Sequence, residues 1–509
     1  MSLSQRGAAE ATRPRPLRRG YILIGIMLTL ALSAMDSTIV ATAIPSIVRD
    51  LGGFALFPWV FSVYLLVQSV TIPLYGKLAD LYGRKPVLLV GSAIFLLGSV
   101  LSGLSWNMVA LIVFRGIQGI GAGAVQPVAI TVVGDLYTLE ERGRIQGYVS
   151  SVWGISAIFG PALGGLLVEY ASWKWIFFIN LPVGLAAMAM VGYFLHESVH
   201  HKAHRLDYLG AALLTGALGV IILGLLQGGV AWPWLSWPSS ATFGLGVALL
   251  VGFLRVERTA QEPVMPLWVY RYRFLAAANL AALVVGALTM GLTSFLPTFV
   301  QAELKQSPVV AGFALAAMSV GWPLASSLSA LVYLRIGFRQ SALVASGITV
   351  LSSLWFLRFT AASSAVAVTA ASFVMGLGLG LMATALLVGV QSVVGWNRRG
   401  VATGANMFTR MLGSTLGAAI YGSLVNERLK LWFANPPPQV APFLPRSLNA
   451  ATMVLGGQLP HIDPRALDFV RQGLYLGIHQ VFWGLLVASL AGIGFELWMP
   501  RKAEPLPEE

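Results

Sequence analysis

The segment that begins at His196 contains a residue pattern typical of zinc enzymes. Residues 196–200 read HESVH, and in the H-E-x-x-H pattern two histidines one helical turn apart bind zinc while the glutamate acts as a general base. His201 and His204 follow, so four of the six histidines lie within nine residues. A zinc site needs a third protein ligand. The extended zinc-protease pattern would place that histidine at 206 and a glycine at 203, where this chain has Leu206 and Ala203.

A single acid, Asp36, indicates a different chemistry. Of the 20 acidic residues it alone lies deep within a long apolar stretch, fifteen residues after Tyr21. At 1.5 Å per residue, this is about 22 Å into a hydrocarbon layer ~30 Å thick. Arg115 lies at a similar depth in its own stretch, so the two side chains are predicted to meet. Ionisable groups at such depth are functional by default, and the alternative is a permanent structural ion pair.

The composition of the chain shows which solvent surrounds it. Hydrophobic residues make up 57% of the 509 residues and charged residues only 10%, against about 25% in soluble domains. A chain so poor in charge cannot cover a large globule with polar surface, so most of it must face lipid. The net charge of +13 does not indicate nucleic-acid binding, because the basic residues flank apolar stretches. No cysteine is present, which excludes disulfides and cysteine-bound metals.

Fourteen apolar stretches have the length of a transmembrane helix, which needs about 20 residues. They are residues 21–44, 57–78, 86–105, 108–134, 144–168, 175–195, 208–227, 239–256, 274–300, 308–334, 341–359, 364–391, 401–424 and 476–499. With the N-terminus in the cytoplasm, inner segments hold 22 of the 33 Lys and Arg residues, outer segments hold nine, and two lie within spans. This bias predicts that both termini are cytoplasmic.

The chain also repeats itself. At an offset of 257 residues, the glycines of 119–123 coincide with those of 376–380, and Gly160 and Gly165 coincide with Gly417 and Gly422. The repeat predicts two six-helix bundles of like topology, related by an axis along the membrane normal, with two helices inserted between them. The predicted divisions are a basic cytoplasmic tail (1–20), the first bundle (21–196), linkers with the inserted pair (197–273), the second bundle (274–499, with an outer loop 425–475) and a second tail (500–509).

This layout weakens the zinc interpretation. The HESVH segment falls at the end of the sixth span, in a cytoplasmic connection, whereas intramembrane metalloproteases bury this motif inside a span. A solvated linker is therefore the preferred interpretation, and we expect no metal site there.

Three further motifs lie in or beside particular spans. Between spans 2 and 3 the chain reads GKLADLYGRK, which contains Gly76, Asp80, Gly83, Arg84 and Lys85. The glycines permit a tight turn, and the charged residues are predicted to hold one bundle against the other. Span 4 reads LIVFRGIQGIGA, which places Arg115 and Gln118 in its middle. Span 5 contains GPALGG, whose small residues allow close helix contact; the motif residues are Gly160, Pro161, Gly164 and Gly165.

Together with MDSTIVATAIP around Asp36, these motifs resemble those of the major facilitator superfamily, specifically its fourteen-helix drug:proton antiporter branch. The resemblance runs from about Tyr21 to Met499, although Leu81 replaces a usual basic residue of the loop. It implies an all-α integral membrane protein with two six-helix bundles plus two inserted helices. It further implies that residues 76–85 govern switching between inward-open and outward-open states, and that the GPALGG motif accompanies export. The resemblance also implies an extracellular helical hairpin within 425–475 that acts as a cap or gate, and a mobile linker is the alternative.

The prediction is a proton-coupled antiporter that exports lipophilic or cationic drugs across the cytoplasmic membrane by alternating access. It would act as a monomer with no cofactor beyond the proton gradient, and its partners would be small drug-like molecules, protons and lipid. Candidate cavity-lining residues are Gln68, Gln118, Gln126, Asn180, Asn406, Trp59 and Tyr64. The alternatives are a dedicated exporter of one metabolite, lipid or siderophore, the intramembrane zinc hydrolase, and a membrane receptor without transport activity.

Overall fold

The computed structural model describes residues 16–51, 58–197, 207–228, 232–260, 267–443 and 463–504, and most of these residues are helical. Within these ranges no β-strand is formed, and one isolated bridge joins Gly228 to Trp232. The fourteen long helices are α1 (Pro16–Leu51), α2 (Pro58–Tyr82), α3 (Arg84–Gly103), α4 (Met108–Leu136), α5 (Leu139–Tyr170), α6 (Trp175–Phe178 and Asn180–Phe194), α7 (Tyr208–Gln227), α8 (Trp237–Thr259), α9 (Arg273–Ala302), α10 (Pro308–Ile336), α11 (Phe338–Phe356), α12 (Ala365–Val393), α13 (Arg399–Phe433) and α14 (Pro464–Trp498).

These helices form where the sequence predicts spans, because a helix satisfies all of its backbone hydrogen bonds internally in an apolar solvent. Ten of those in the described residues are long and apolar enough to cross a membrane by length and composition. Polar caps mark where several of them begin: Asn107 caps α4, Ser364 caps α12, and Thr138 forms a capping box with Glu141 at α5. Helix α6 is interrupted at Ile179, because the ring of Pro182 cannot donate a hydrogen bond to the preceding turn.

Two groups of helices, α1–α6 and α9–α14, each pack into a bundle, while α7 and α8 pack on each other. We call the side that carries the start of α1 and the end of α14 the terminal face, and the opposite side the distal face. Helix α7 contacts α2 and α13, which places the inserted pair beside the seam between the bundles.

The internal repeat corresponds to repeated helix contacts. Gly119 packs on α2 and its counterpart Gly376 packs on α10; Gly121 packs on α3 and its counterpart Gly378 on α11. At the seam, the start of α5 in the first bundle lies against α10 in the second bundle. The start of α13, the counterpart of α5, lies against α2 in the first bundle. The bundles therefore share one topology and meet through equivalent edges.

The predicted outer loop 425–475 is shorter than expected, because the helices on both sides of it are longer. Helix α13 continues to Phe433 and α14 begins at Pro464. Trp432 stacks on Phe469 at 5.1 Å between ring centroids, and its indole Nε1 donates to the Phe469 carbonyl at 3.1 Å. The described part of this stretch is thus a packed helical hairpin on the distal face, and residues 444–462 lie outside the described residues.

Candidate functional site

Asp36 and Arg115 form an ion pair inside the first bundle, as their depths predicted. Arg115 Nη1 donates a hydrogen bond to Asp36 Oδ2, and the two atoms lie 2.5 Å apart. Both side chains are 0% exposed. A charge pair with no access to water has a high desolvation cost, which only good geometry and further hydrogen bonds can offset.

The second carboxylate oxygen of Asp36 accepts those further hydrogen bonds. Gln118 Nε2 donates to Oδ1 at 2.8 Å, and Asn180 Nδ2 approaches it at 3.5 Å. Asn180 also donates to the Ser99 hydroxyl at 2.9 Å, and Ser99 in turn donates to the Phe177 carbonyl. The carboxylate of Asp36 therefore accepts hydrogen bonds from side chains of α4 and α6, and Ser99 of α3 positions one of these donors.

Arg115 has alternative partners besides Asp36. Its Nη1 also donates to Gln118 Oε1 at 2.8 Å, and its Nε reaches the Val60 carbonyl at 3.4 Å. Its guanidinium carbon lies 4.1 Å from the centre of the Tyr64 ring, a cation–π contact. The guanidinium of Arg115 therefore has neutral partners besides the Asp36 carboxylate.

The structure places several predicted cavity residues around this pair. Gln118, Asn180 and Tyr64 are buried beside Asp36 and Arg115, at 0%, 3% and 2% exposure. Their role as a cavity wall stays a prediction, because in this conformation they belong to the ion-pair network. Of the other candidates, Gln68 and Asn406 are buried, while Gln126 and Trp59 are partly exposed.

The second charged cluster lies at the terminal face and joins the two bundles. The carboxylate of Asp80 accepts hydrogen bonds from the backbone N–H groups of Gly400 at 2.9 Å and of Val401 at 2.7 Å. These amides are the free donors of the first turn of α13, where a negative charge is stabilised by the helix dipole. Gly76, one turn earlier in α2, permits this approach, because a Cβ there would lie 2.8 Å from the Gly400 carbonyl oxygen.

Arg84 is the centre of this cluster. Its guanidinium pairs with Asp80 at 2.9 Å and with Asp135 at 3.0 Å, both in the first bundle. It also donates to the Trp396 carbonyl at 2.7 Å and lies 3.8 Å from the centre of the Trp396 ring, in the segment before α13. Arg399, from the second bundle, pairs with Asp135 at 2.5 Å. We call Asp80, Arg84, Asp135, Trp396 and Arg399 the terminal latch.

The remaining residues of the loop have smaller parts. Gly83 has φ 93°, a conformation that favours glycine, and it begins α3 immediately after α2 ends. The ammonium group of Lys85 has no described contact with the second bundle, contrary to its predicted part in holding the bundles together. Its backbone N–H donates to Glu197 Oε2 at 3.0 Å instead.

Glu197 is the glutamate of the HESVH pattern, and its contacts differ from those of a general base. Besides accepting from Lys85, it lies 3.8 Å from the Arg84 Nε. His196 is exposed and its Nδ1 contacts the Phe194 carbonyl at 3.1 Å. His200, His201 and His204 lie outside the described residues, and among the described ones no group of three metal-binding side chains is found. Glu197 therefore belongs structurally to the surroundings of the latch.

The GPALGG motif places α5 against α1 close to the buried pair. A methyl group at Gly160 would overlap the Thr38 hydroxyl, and that hydroxyl donates to the Ser156 carbonyl at 3.1 Å. Gly164 is buried, whereas Gly165 faces open space. For Pro161, only its position inside α5 is described.

Gly160→Ala is expected to lower the free energy of unfolding by about 1–3 kcal/mol, because the added methyl group forces α1 away from α5. The measurement is the thermal unfolding midpoint of the purified protein, together with transport. Gly165→Ala is the matched control, since its methyl group meets no atom within 4 Å. Equal midpoints for the two variants would contradict a close α1–α5 crossing at Gly160.

Several residues of these clusters were not singled out from the sequence. Asp135 and Arg399 lie at helix ends, where charged residues are common, and only their spatial meeting marks them. Glu496 lies near the end of the predicted span 476–499, yet it is 0% exposed and accepts a hydrogen bond from Ser346 at 2.8 Å. Its second oxygen has no hydrogen-bond partner among the described residues. Its place inside the apolar stretch 476–499 is the sequence signal for its burial.

Comparison with known proteins gives consistent results. A family model described as Major Facilitator Superfamily matches residues 26–208 and 201–418. The chain is 34% identical over 415 residues to Multidrug resistance protein 3 of Bacillus subtilis (strain 168), which covers 82% of this chain and 81% of that protein. It is 33% identical over 525 residues to Multidrug transporter protein MdtP of the same strain, with 97% and 96% covered. The human organic anion transporter MFSD10 (TETRAN) is a structural neighbour with TM-score 0.60 and 15% identity, with 93% of this chain and 100% of that chain covered; it shows the shared fold alone.

Proposed function

Because the chain belongs to the Major Facilitator Superfamily, we propose that it is a secondary active transporter that exports drug-like molecules in exchange for protons. The family makes it a multi-pass membrane transporter and not an enzyme. Two relatives with a third of their residues identical are named as multidrug resistance or multidrug transporter proteins, which supports export of drugs. The observation that carries proton coupling is the fully buried Asp36–Arg115 pair.

The orientation follows from the distribution of charge. Because Lys and Arg are concentrated in segments on the terminal face, that face is proposed to lie in the cytoplasm, in the cytoplasmic membrane. The terminal latch then closes the cytoplasmic entrance, and the conformation described is one in which cargo does not enter from the cytoplasm. We propose that the protein acts as a monomer and needs no cofactor besides the proton gradient.

The coupling step uses the alternative partners of Arg115. When Asp36 is ionised, Arg115 and Gln118 bind it; when Asp36 is protonated, the guanidinium turns to Gln118, Val60 and Tyr64. Because Asp36 is enclosed by α1, α2, α3, α4 and α6, cargo does not touch the carboxylate in this conformation. Arg115 and Tyr64 are equally buried, so cargo and proton are proposed to compete through movement of α4 and α2, the helices that carry these residues and contact α13 at the seam.

The same helices connect the buried pair to the latch. Helix α2 carries Tyr64 near its distal end and Asp80 near its terminal end; helix α4 carries Arg115 and, twenty residues later, Asp135. A small rotation of either helix that accompanies protonation would move a latch residue. Protonation and opening of the terminal face are then coupled by rigid elements, as rocking of the two bundles requires. Each net charge that crosses the membrane contributes about 2.3 kcal/mol per 100 mV.

The test is uptake by purified protein in liposomes with an acidic interior, so that proton efflux drives cargo inward. A panel of unrelated lipophilic cations and neutral drugs is offered, and a protonophore serves as control. Uptake of several unrelated compounds that the protonophore abolishes is expected. Uptake that is indifferent to the pH gradient would overturn proton coupling, and acceptance of a single compound would favour the dedicated exporter.

A further inference from the structure

Arg410 is a second arginine deep in the membrane region, and its surroundings differ from those of Arg115. It is the twelfth residue of α13, about 17 Å from the terminal end of that helix. Arg115 has an acidic partner, whereas the described residues offer Arg410 neither an ion pair nor a side-chain hydrogen bond. An unpaired guanidinium at this depth is costly and marks a site that binds something.

The neighbours of Arg410 on α13 show that it lies on a packed side of the helix. One turn before it, Asn406 donates to Asn279 Oδ1 of α9 at 3.2 Å. One turn after it, Ser414 donates to the Gly286 carbonyl of α9 at 3.2 Å. Gly413, three residues later, also packs against α9. Arg410 is nevertheless partly exposed, although the residues one turn before and after it pack against α9.

One polar group near Arg410 is a hydrogen-bond donor that lacks an acceptor. Asn279 Nδ2 is buried with no hydrogen-bond partner among the described residues. Buried donors without partners are uncommon in native proteins, and such a donor is available to an acceptor on a bound molecule. Asn279 is itself 0% exposed, so its amide is held in place by the packing of α9. Asn279 contacts Asn406, which lies one turn before Arg410 on α13. The unpartnered amide of Asn279 is therefore about one helical turn from Arg410 along the α9–α13 contact.

The position of Arg410 is also fixed by its backbone. A methyl group at Gly286 would overlap the Arg410 carbonyl oxygen, so α9 and α13 touch at this level. The base of the side chain is therefore rigid while its guanidinium is free to bind. Such preorganisation favours the recognition of a fixed charge.

We infer that Arg410, with Asn279 and Asn406, forms a recognition site for an anionic oxygen group of the cargo, such as a carboxylate or sulfonate. A guanidinium binds two oxygens of such a group through parallel hydrogen bonds, and the Asn279 amide supplies another donor. The site extends the cargo of the proposed exporter from cations to amphiphiles that are anionic or zwitterionic. It rests on the proposed function only for its physiological use, since binding itself needs no gradient.

The experiment compares two matched probes, 2-naphthoate and 2-naphthamide, which differ in charge but hardly in shape. Equilibrium binding to the purified full-length protein is measured without a pH gradient. The native protein is expected to bind naphthoate about ten-fold or more tightly than naphthamide. Arg410→Gln should reduce this ratio to about one, and Arg410→Lys should retain part of it, because an ammonium keeps the charge but not the planar pair of donors.

Two further variants keep the test decisive. Arg335→Gln removes an exposed arginine at the end of α10 and is expected to leave the ratio unchanged. Asn279→Asp places a carboxylate about one helical turn from Arg410; it should raise the thermal unfolding midpoint and abolish the preference for naphthoate. Equal affinities of the native protein for the two probes, or an unchanged ratio in Arg410→Gln, would overturn the inference. A preserved preference in a protein that shows no pH-driven export would overturn the exporter proposal and leave this site standing.

Discussion

Asp36→Asn is expected to abolish pH-driven transport, because the amide cannot exchange a proton between the two sides of the membrane. Uptake into liposomes should fall to the level of empty vesicles. Asp50→Asn is the matched control, since Asp50 lies on the same helix α1 but is exposed near its distal end. Full pH-driven uptake by Asp36→Asn would show that the carboxyl group of Asp36 is not the coupling group.

The same substitution has a structural consequence that must be separated from the functional one. Removal of Asp36 leaves Arg115 charged, buried and paired only with neutral groups, which costs about 3–5 kcal/mol. The double variant Asp36→Asn/Arg115→Gln removes both charges and should recover most of that stability. We expect it to unfold near the temperature of the native protein and still to lack pH-driven transport.

This combination distinguishes a coupling pair from a structural one. If Asp36 and Arg115 served only to hold the first bundle together, the double variant would recover transport along with stability. Recovery of the unfolding midpoint without recovery of pH-driven uptake assigns the proton to Asp36. The measurements are thermal unfolding in detergent and uptake in liposomes, made on the same preparations.

Arg84→Ala is expected to open the terminal face. The substitution removes the ion pairs to Asp80 and Asp135 and the hydrogen bond to Trp396, while the Arg399–Asp135 pair remains. Each hydrogen bond to a charged group contributes about 1.5–3 kcal/mol. The loss of even one therefore shifts the equilibrium between the closed and the open terminal face about ten-fold or more toward the open state. Transport should fall, because the closed state of the terminal face becomes rare.

The chain has no cysteine, so a single introduced cysteine can report this opening. Ser329 of α10 is fully buried against Gly143 of α5, at the seam near the terminal face. In the Ser329→Cys background, Arg84→Ala should increase the labelling rate by a membrane-impermeant maleimide about ten-fold. Lys85→Ala removes the adjacent positive charge, whose ammonium has no described contact across the seam, and should change labelling far less.

Equal labelling rates in Arg84→Ala and Lys85→Ala would contradict the latch. Arg84→Lys offers a further check, because a lysine keeps the charge but cannot contact Asp80, Asp135 and the Trp396 carbonyl together. Its labelling rate is expected to lie between those of the native protein and Arg84→Ala. Labelling is measured on folded protein in membranes, so a variant that misfolds is recognised by its failure to insert.

The sequence alone determined the fold of this protein. A helix in hydrocarbon must satisfy its own backbone groups, so the length and spacing of apolar stretches indicate spans directly. The repeat of Gly119–Gly123 at Gly376–Gly380 predicted two like bundles, and the helix contacts of these glycines agree with it. The meeting of Asp36 with Arg115 followed from depth, because position along a spanning helix is also position across the membrane.

Tertiary structure alone decided which charges work together at the ends of the helices. Asp135 and Arg399 are 264 residues apart, and at a helix end any charged residue is solvated as easily as it is paired, so their types predict no partner. Because Lys85 and Glu197 also lie at helix ends, their types did not predict that Glu197 lies beside Arg84 or that the Lys85 ammonium has no described contact with the second bundle. Only the packing of α13 against α2 fixes the first turn of α13 at Asp80. It also leaves Arg410 partly exposed, with no ion pair to any residue that the structure describes, because no acidic side chain is packed beside it.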